Sequence, residues 1–233
     1  AKKPGEWKPL YLLGLIHLER GDIDAAKDAL QKAATLDPQN PSIHDALKKS
    51  EKMENVSCRH FLTEHKDGIS GVALSADKEK AATASYDKTI RYWDLVNGKC
   101  LRTFRGHSQA VTAVDITADG TRIVSGSEDK RLRIWSPEES KRLFILADHT
   151  APVSCLAVSK YSDVIVSGNM SMGFIDRSYR DYDIRLWNLK DGSLIRKFDG
   201  HRWSIEAIVI SPDGRLAMTG SADKSILRLE LQN

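Results

Sequence analysis

From about residue 66 onward, apolar and polar residues alternate in short runs that are separated by turn-forming residues. One stretch contains four such runs in succession, at residues 111–117, 121–125, 131–135 and 141–146. Alternation of this kind is typical of half-buried strands. Asp119 and Gly120, between the first two runs, suit a tight turn because glycine adopts positive φ without steric cost. The pattern predicts a four-stranded antiparallel sheet that recurs along the chain.

Residues 7–54 follow a different period. Apolar and small residues recur there at steps of three and four, and alanine is frequent, which favours amphipathic helices. The stripe of the first helix is Leu10, Leu13, Gly14 and His17, and that of the second is Ala26, Leu30, Ala33 and Leu36. Asp37-Pro38 predicts the end of the second helix, and a third helix is predicted from Ser42 to Lys52. The sequence therefore predicts an all-α segment before the β-rich region.

The β-rich region repeats itself at a period of about 40 residues. A histidine and an aspartate recur in phase as His65 and Asp87, His107 and Asp129, His149 and Asp181, and His201 and Asp223. Their separation is 22 residues in three units and 32 in the third, which therefore carries ten extra residues. Six positions after each aspartate stand Trp93, Trp135, Trp187 and Leu229. Because one small sheet cannot bury its own faces, we expect the units to stack on one another.

The four His–Asp pairs have two interpretations. A histidine beside a carboxylate can act in acid–base catalysis or bind a metal. One pair in every unit, at the same phase, instead favours a structural hydrogen-bond network, because a buried polar group left unpaired costs about 1 to 3 kcal/mol. No nucleophile motif, phosphate-binding loop or metal-ligand spacing accompanies the pairs. We therefore predict no enzymatic activity, catalytic residue, metal or cofactor.

Several segments of the repeats share one scheme. They are Gly106-His107, Gly200-His201, Val124-Ser-Gly-Ser127 with Asp129, Thr219-Gly-Ser-Ala-Asp223, Thr89-Ile-Arg-Tyr-Trp-Asp94 and Ile184-Arg-Leu-Trp-Asn188. Over about residues 57–233 the chain resembles the WD-repeat family of β-propellers. The resemblance implies a mainly β fold of four blades, in each of which the His, the Asp, a strand Ser or Thr and the Trp form a buried network. The implied blades are roughly residues 66–107, 108–149, 150–201, and 202–233 together with 58–64.

Residues 58–64 bear on how such a propeller would close. The run Cys58-Arg-His-Phe-Leu-Thr-Glu-His65 matches Cys100-Leu-Arg-Thr-Phe-Arg-Gly-His107, which marks it as an outer strand ahead of the first unit. The final unit stops after its third strand, so we predict that the early strand completes the last blade. Four blades are fewer than the resembled family usually has, and three arrangements stay open: a closed four-bladed ring, an open arc completed by a second copy or another chain, and a fragment of a longer protein. We favour the arc or the fragment.

The helical segment, residues 1–55, has its own signature. Leu13-Gly14, Gly21-Asp22, Ala26, Ala33 and Asp37-Pro38-Gln39-Asn40 stand at the spacing of the tetratricopeptide family, and the segment resembles one such repeat followed by a capping helix. Leu10 and His17 depart from the family, which often has Trp and Tyr at those positions. A single repeat is fewer than the roughly three needed for independent stability, so we expect it to pack on something.

The turns that carry the His and Asp landmarks share one face in the resembled family, and we call this face the rim. Candidate partner-binding residues on the rim are Tyr86, Glu128, Arg202 and Trp203. The ten extra residues of the third unit fall on the same rim and add Met170, Met172, Phe174, Arg177, Tyr179 and Arg180. Trp, Tyr and Arg dominate interface energies, and Met adapts to varied surfaces. The alternatives are that Trp203 is tucked between blades and that the insertion is a tolerated surface loop.

Composition adds bounds to this prediction. The 233 residues, 41% hydrophobic and 29% charged, are ordinary for a globular chain, and the net charge of +3 gives no basis for nucleic-acid binding. We expect neither a transmembrane segment nor a secretory leader, because the longest apolar runs are strand-sized. Three cysteines, an odd number, favour reduced thiols and a cytoplasmic location, with the nucleus as the alternative.

The predicted function is that of a non-enzymatic scaffold or adaptor, which bridges partners through a tetratricopeptide surface and a WD-repeat surface. The predicted partners are other proteins or peptides, with self-association or completion of the propeller by another chain as further expectations. We expect no nucleic acid, membrane or small-molecule partner. One alternative is a structural subunit permanently embedded in a large assembly. The other is a propeller hydrolase that uses Asp176, Asp181 and Asp183 near His149.

Overall fold

The computed structural model describes residues 6–20, 22–54, 60–160, 162–170, 182–211 and 213–231. The chain divides into two compact units, Ala1–Arg59 and His60–Asn233. Among the described residues, the first unit contains helices and the second contains strands. The division falls a few residues after the predicted boundary at 55/56, because His60 already contacts the strand-containing unit: its Nε2 lies 3.2 Å from the carbonyl oxygen of Val96.

The helical unit contains α1 (Lys8–Arg20), α2 (Ile23–Leu36) and α3 (Pro41–Glu54), as predicted. The Asp22 carboxylate accepts a hydrogen bond of 3.2 Å from the backbone N–H of Ala25 and caps α2. The backbone N–H of Asp37 donates to the carbonyl of Ala33 at 3.1 Å, where α2 ends. Within the described ranges, no helix has the length and hydropathy that a membrane crossing requires.

Small residues let α1 and α2 approach closely. A Cβ atom built on Gly14 would lie 2.6 Å from Cγ of Leu30, so only glycine fits there. Leu18 and Ala26 are buried in the same cluster. The predicted stripe of α1 was partly wrong, because Leu13 is exposed. The cluster instead takes in residues one position away from the predicted ones, Tyr11 and Leu15.

The strand-containing unit holds four separate antiparallel sheets, each with its strands in chain order, which confirms the predicted four blades. Blade 1 consists of β1 (Ile69–Leu74), β2 (Lys80–Ser85), β3 (Thr89–Asp94) and β4 (Lys99–Arg105). Blade 2 consists of β5 (Val111–Ile116), β6 (Ile123–Ser127), β7 (Leu132–Ser136) and β8 (Lys141–Leu146). Blade 3 consists of β9 (Val153–Val158), β10 (Val164–Asn169), β11 (Ile184–Asn188) and β12 (Leu194–Phe198). Blade 4 consists of β13 (Ile205–Ile210), β14 (Leu216–Ser221) and β15 (Ile226–Glu230).

Hydrophobic clusters join each blade to the next. Ile90 and Phe104 of blade 1 pack with Val114 and Trp135 of blade 2 in one buried cluster. A second cluster joins blades 2 and 3, and a third joins blades 3 and 4. Each cluster takes side chains from two sheets, as expected for units that cannot bury both faces alone.

A recurrent hydrogen bond reinforces these contacts. The second residue of the innermost strand is Ser70, Thr112 or Ser154 in blades 1 to 3, and each lies at a β-bulge of its strand. Their hydroxyls donate to the carbonyl oxygens of Val111, Val153 and Ile205 in the following blade at 2.5 to 2.6 Å. A bulge turns a side chain out of the regular alternation. Here it directs each hydroxyl across the interface, so successive blades are joined by backbone-directed bonds as well as by apolar packing.

The prediction that residues 58–64 complete the last blade was wrong for the part that the structure describes. Residues 60–64 form no strand, and the fourth sheet has three strands. The reason is that this segment is held on blade 1, where Glu64 forms an ion pair with Arg91 and His65 bonds Asp87. Among the described residues the four sheets do not close into a ring, because blade 1 packs on blade 2 and blade 4 on blade 3, but blade 4 does not pack on blade 1. This confirms the open arrangement that the sequence favoured.

Candidate functional site

The recurring histidines lie at the centre of a hydrogen-bond network in each blade. In blade 2, Nδ1 of His107 lies 2.9 Å from Oδ2 of Asp129, and its Nε2 lies 2.8 Å from the hydroxyl of Ser125. The indole N–H of Trp135 donates to the same hydroxyl at 2.9 Å. One arrangement of protons fits these contacts: Nδ1–H donates to Asp129, and Nε2 accepts from Ser125. The structure thus brings the predicted His, Asp and Trp together around one strand serine.

Blade 1 repeats this geometry. His65 contacts Asp87 at 2.8 Å and the hydroxyl of Thr83 at 2.7 Å. The indole N–H of Trp93 donates to the Thr83 hydroxyl at 2.8 Å. The pattern is the same because Thr83 and Ser125 occupy equivalent positions on the second strand, ten residues before the tryptophan in both blades.

Blades 3 and 4 vary the network. In blade 3, Nε2 of His149 lies 2.7 Å from the hydroxyl of Ser167, which also accepts from the indole of Trp187. The predicted acid of that blade, Asp181, lies outside the described residues. In blade 4, His201 lies 3.1 Å from Asp223 and 2.8 Å from the hydroxyl of Thr219. The apolar Leu229 stands in the place of the tryptophan.

Two buried arginines, Arg133 and Arg185, join the network without having been predicted, while Arg91 at the equivalent position of blade 1 pairs with Glu64 instead. Arg91, Arg133 and Arg185 are buried residues that lie two positions before the tryptophans of blades 1 to 3. Arg133 donates to Oδ2 of Asp129 at 2.7 Å and also lies close to His107. Arg185 donates to Asp148 at 2.8 Å. The signal was present as Arg-x-Trp in three units, and blade 4 has Leu227 there instead.

Electrostatics hold the pair in blade 2 as carboxylate and neutral imidazole. Burial alone would raise the pKa of Asp129, but hydrogen bonds from His107 and from the backbone N–H of Ser108, with the charge of Arg133, lower it to about 2. Burial lowers the pKa of His107, although the Asp129 carboxylate acts in the opposite direction. In blade 4, the Ser225 hydroxyl and the backbone N–H of Arg202 lower the pKa of Asp223. These acids therefore stay ionised at neutral pH.

The His–Asp pair of blade 2 is closed to solvent. The side chain of His107 is 0% exposed and that of Asp129 is 4% exposed, so a substrate does not reach the pair. Within the described ranges, no group of three or more His, Cys, Asp or Glu side chains is placed to hold a metal ion. Cys100 and Cys155 are free thiols, and burial raises the pKa of Cys155 to about 12. Nothing here indicates catalytic activity.

The same aspartates organise the rim. The backbone N–H groups of the residues that follow the histidines, Lys66, Ser108 and Arg202, donate to Asp87, Asp129 and Asp223 at 3.0, 3.1 and 2.8 Å. Each bond ties the turn before one blade to the turn between the second and third strands of that blade. Ser85, Ser127 and Ser221 add bonds from their hydroxyls to the carbonyls of Asp67, Ala110 and Trp203. In blades 1, 2 and 4 the two turns therefore form one fixed platform.

The predicted rim residues lie at or beside these platforms. Tyr86, Glu128 and Arg202 are exposed. Trp203 is 38% exposed, which fits the accessible alternative better than one tucked between blades. Met170 is half-buried, and its N–H donates to the carbonyl of Pro152 at 2.8 Å. The other predicted contact residues of the insertion lie outside the described part of the chain: Met172, Phe174, Arg177, Tyr179 and Arg180.

Sequence reasoning missed a second set of exposed side chains. Ile69, Val72 and Leu74 of blade 1 are exposed apolar residues, as are Met218 and Ile226 of blade 4. Both groups lie on sheet faces rather than on the rim. The counterparts of these residues in other blades are buried, so a comparison of the repeats contains the information. It identifies the exposed faces only once the blades at the two ends of the arc are known.

Family comparisons agree with this architecture. The family described as WD domain, G-beta repeat matches residues 56–94, 98–136, 140–188 and 192–227. The family described as tetratricopeptide repeat matches residues 8–40. Together these matches follow the two units of the structure.

Curated relatives are similar only over short segments. Mitochondrial division protein 1 of Vanderwaltozyma polyspora is 55% identical over 47 residues, which is 20% of this chain and 6% of the relative. CCR4-associated factor 4 of Saccharomyces cerevisiae is 38% identical over 82 residues, 34% of this chain and 12% of the relative. The small ribosomal subunit protein RACK1 of Schizosaccharomyces pombe is 54% identical over 39 residues, 17% of this chain and 12% of the relative. The chain thus spans about an eighth or less of these three relatives.

Proposed function

The chain belongs to the WD-repeat family, and from this premise we propose that it is a non-enzymatic scaffold that bridges other proteins. WD and tetratricopeptide repeats generally mediate contacts between proteins, so the class of function follows from the family. The finer proposal is that the rim of the arc binds one protein or peptide while the helical unit binds another. We propose no nucleic-acid, membrane or small-molecule partner.

The observation that carries this proposal is the hydrogen bonding that fixes the turns of the rim. In blades 1, 2 and 4 the rim turns are fixed by an ionised aspartate and a serine hydroxyl, so little flexibility is lost when a partner binds. Next to these anchors stand Tyr86, Arg202 and Trp203, which are exposed and belong to the residue types that most often dominate binding energy. Rigid support beneath such side chains is what a binding surface needs.

The helical unit supports a second contact. On α1, Leu12, Leu13 and Ile16 are exposed apolar residues, whereas Leu18 on the same helix is buried. Repeat helices of this kind normally cover such a stripe with a neighbouring helix, so a helix from a partner suits it. Two contacts on one chain raise the effective concentration of the second partner once the first has bound.

The relatives do not fix a partner for this chain. Their names assign them to mitochondrial division, to association with CCR4 and to the small ribosomal subunit, which are three different settings. We propose a cytoplasmic location, with the nucleus as the alternative. The free thiols of Cys100 and Cys155 suit either reducing compartment.

Affinity capture followed by mass spectrometry tests the rim. We expect the combined variant Tyr86→Ala, Arg202→Ala and Trp203→Ala to lose the proteins that the native chain captures. The matched control changes exposed residues of turns at the opposite ends of the strands, with Val96→Ala and Arg215→Ala, and should capture the same proteins as the native chain. Equal capture by both variants would contradict the rim proposal.

The alternative, a subunit embedded in a permanent assembly, is favoured by the exposed apolar faces of blades 1 and 4. A partner held mainly by polar rim contacts should dissociate in about 1 M salt, where charge interactions are screened within about 3 Å. A partner that covers apolar faces should remain bound. Retention of the same partners after a high-salt wash would therefore favour the embedded subunit.

A further inference from the structure

Blade 4 leaves open the face that every other blade buries. Ile226 is 67% exposed, whereas the residues at the same position of blades 1 to 3, Ile90, Leu132 and Ile184, are 0% exposed. Met218 is 46% exposed, whereas its counterparts Ala82, Val124 and Val166 are also fully buried. We call this surface, which includes Val209 and Gly220, the trailing face. In blades 1 to 3 the equivalent face packs on the innermost strand of the next blade.

Glycines on the equivalent faces of blades 2 and 3 indicate which kind of residue the trailing face can accommodate. A Cβ atom on Gly126 would lie 2.5 Å from Cγ1 of Val153, and one on Gly168 would lie 2.8 Å from Cβ of Ile205. In both cases the glycine makes room for the β-branched residue that begins the innermost strand of the following blade. Gly220 is the equivalent residue of blade 4, and nothing lies within 4 Å of a Cβ built there. Its φ is not positive, so no turn requires glycine at this position.

Blade 1 leaves open the opposite face, which we call the leading face. Ile69 is 50% exposed, although its counterparts Val111, Val153 and Ile205 are 0% exposed. Val72 and Leu74 are 66% and 55% exposed, whereas Val114 and Ile116 of blade 2 are buried. Ile69 is thus a β-branched residue of the type that the glycines of blades 2 and 3 receive, and it lies in the open.

We propose that the trailing face of one copy of this chain binds the leading face of a second copy, with Ile69 of the second copy filling the space above Gly220 of the first. The two faces are complementary because they are the two halves of the interface that already joins blades 1 to 2, 2 to 3 and 3 to 4. The contact is head to tail, so each copy uses each face once. The proposal rests on the scaffold function and deepens it by naming one partner: another copy of the scaffold itself.

The same docking would supply the strand that blade 4 lacks. Within the described residues, β15 pairs only with β14. Residues 60–64, which match β4 in sequence, are held against blade 1 by the contact of His60 with the carbonyl of Val96 and the ion pair of Glu64 with Arg91. When a second copy docks, its residues 60–64 come beside the open edge of β15. The segment that does not complete blade 4 within one chain is therefore placed to complete it between two.

One residue makes this contact weaker than the internal ones. In blade 4 the bulge position taken by Ser70, Thr112 and Ser154 elsewhere is Glu206. A carboxylate cannot donate a hydrogen bond to the carbonyl of the incoming blade, and burying it is unfavourable. Self-association should therefore be reversible. Glu206→Thr should restore the donor and tighten association by about tenfold, the factor that corresponds to one hydrogen bond of average strength.

Sedimentation velocity over a range of concentrations tests the proposal. We expect the native chain, of 26.0 kDa, to form dimers or longer head-to-tail series as its concentration rises. Ile226→Asp on the trailing face and Val72→Asp on the leading face should each weaken association by at least about tenfold, since a charge cannot be buried against an apolar face without penalty. The control is Ile195→Asp, which changes an isoleucine that is 52% exposed on the outer strand of blade 3 and should associate like the native chain.

Mixing the two variants separates a head-to-tail contact from any other. A copy with Ile226→Asp retains its leading face, and a copy with Val72→Asp retains its trailing face. An equimolar mixture should therefore form a one-to-one dimer, although each variant alone is monomeric. A native chain that stays monomeric at all concentrations, or a mixture that does not associate, would overturn the proposal. Circular dichroism of each variant excludes misfolding as the cause.

The test of self-association can be distinguished from the test of the scaffold proposal. The rim variant of Tyr86, Arg202 and Trp203 leaves both end faces intact and should associate like the native chain. Loss of captured proteins with normal self-association would support rim binding and leave the head-to-tail contact to the sedimentation result. Normal capture by a chain that never self-associates would support the scaffold and reject the contact between copies.

Discussion

Blades 2 and 4 are built from the same repeat but differ in completeness. Blade 2 has a neighbour on both sides, four strands, and a network in which Trp135 and Arg133 accompany His107. Blade 4 has one neighbour, three described strands, and a network that retains His201, Thr219 and Asp223 but has Leu229 and Leu227 in place of the tryptophan and the arginine. The His–Asp–hydroxyl part therefore forms without the tryptophan, which indicates that the turn geometry fixes it. The tryptophan adds packing against the previous blade.

The largest difference between the two blades should come from the residue at the tryptophan position. Trp135→Ala removes a buried aromatic side chain and should lower the free energy of unfolding by about 3 to 5 kcal/mol. Leu229→Ala removes a smaller side chain from the cluster between blades 3 and 4 and should cost about 2 to 3 kcal/mol. Urea denaturation followed by circular dichroism measures both. Equal losses would mean that the tryptophan contributes no more packing than the leucine.

The next difference should come from the hydroxyl at the centre of each network. Ser125→Ala leaves both the His107 Nε2 and the Trp135 indole N–H without a partner, and should cost about 3 kcal/mol in total. Thr219→Val preserves the shape of the threonine and leaves only the His201 Nε2 without a partner, so it should cost roughly half as much. The same denaturation measurement applies. A larger loss in blade 4 would contradict this account of the network.

A smaller difference is expected at the two equivalent glycines. Gly168→Val places a side chain against Ile205 and should destabilise the chain by about 1 to 3 kcal/mol through overpacking. Gly220→Val enters open space on a strand and should change stability by no more than about 0.5 kcal/mol. Thermal unfolding should be measured at a concentration where the chain is monomeric. A clear loss for Gly220→Val there would mean that the same chain already covers the trailing face.

The smallest expected effect is on the stability of the chain at acidic pH. The pKa of Asp129 is about 2 in the folded state, below the ordinary value of about 3.9, so its contribution is present above about pH 4 and is lost as the pH falls toward 2. After allowance for solvent screening this contribution is about 1 kcal/mol. Asp129→Asn should therefore flatten the dependence of the free energy of unfolding on pH in that window.

His107 acts in the same direction at higher pH. Its pKa is lowered by burial, so the neutral imidazole favours the folded state above the ordinary pKa near 6.5, and this stability declines as the pH falls through the folded-state value. Urea denaturation at a series of pH values measures both contributions. A native chain that became more stable on acidification from pH 7 would contradict both assignments.

The sequence predicted features that depend on the position of a residue within the repeat. It did not predict features that depend on which strands pair. The structure brings His107, Asp129 and Trp135 together around Ser125, and their spacing pointed to this because residues at one phase of a repeat occupy equivalent positions in successive sheets. The match of residues 58–64 to β4 predicted an outer strand, but residues 60–64 form none, because pairing depends on which sheet edge lies beside a segment and not on its sequence alone. The buried arginines, such as Arg133, were missed because a charged residue in a strand normally indicates a solvent-exposed position.

The bond between each aspartate and its rim turn has a consequence for how such a surface can diversify. The carboxylate accepts from the backbone N–H of the residue after the histidine, and every amino acid except proline carries that group. The side chain at this position takes no part in that bond. The residues found there are Lys66, Ser108 and Arg202. Substitutions at these three positions would change the chemistry that the rim exposes while these backbone bonds are kept.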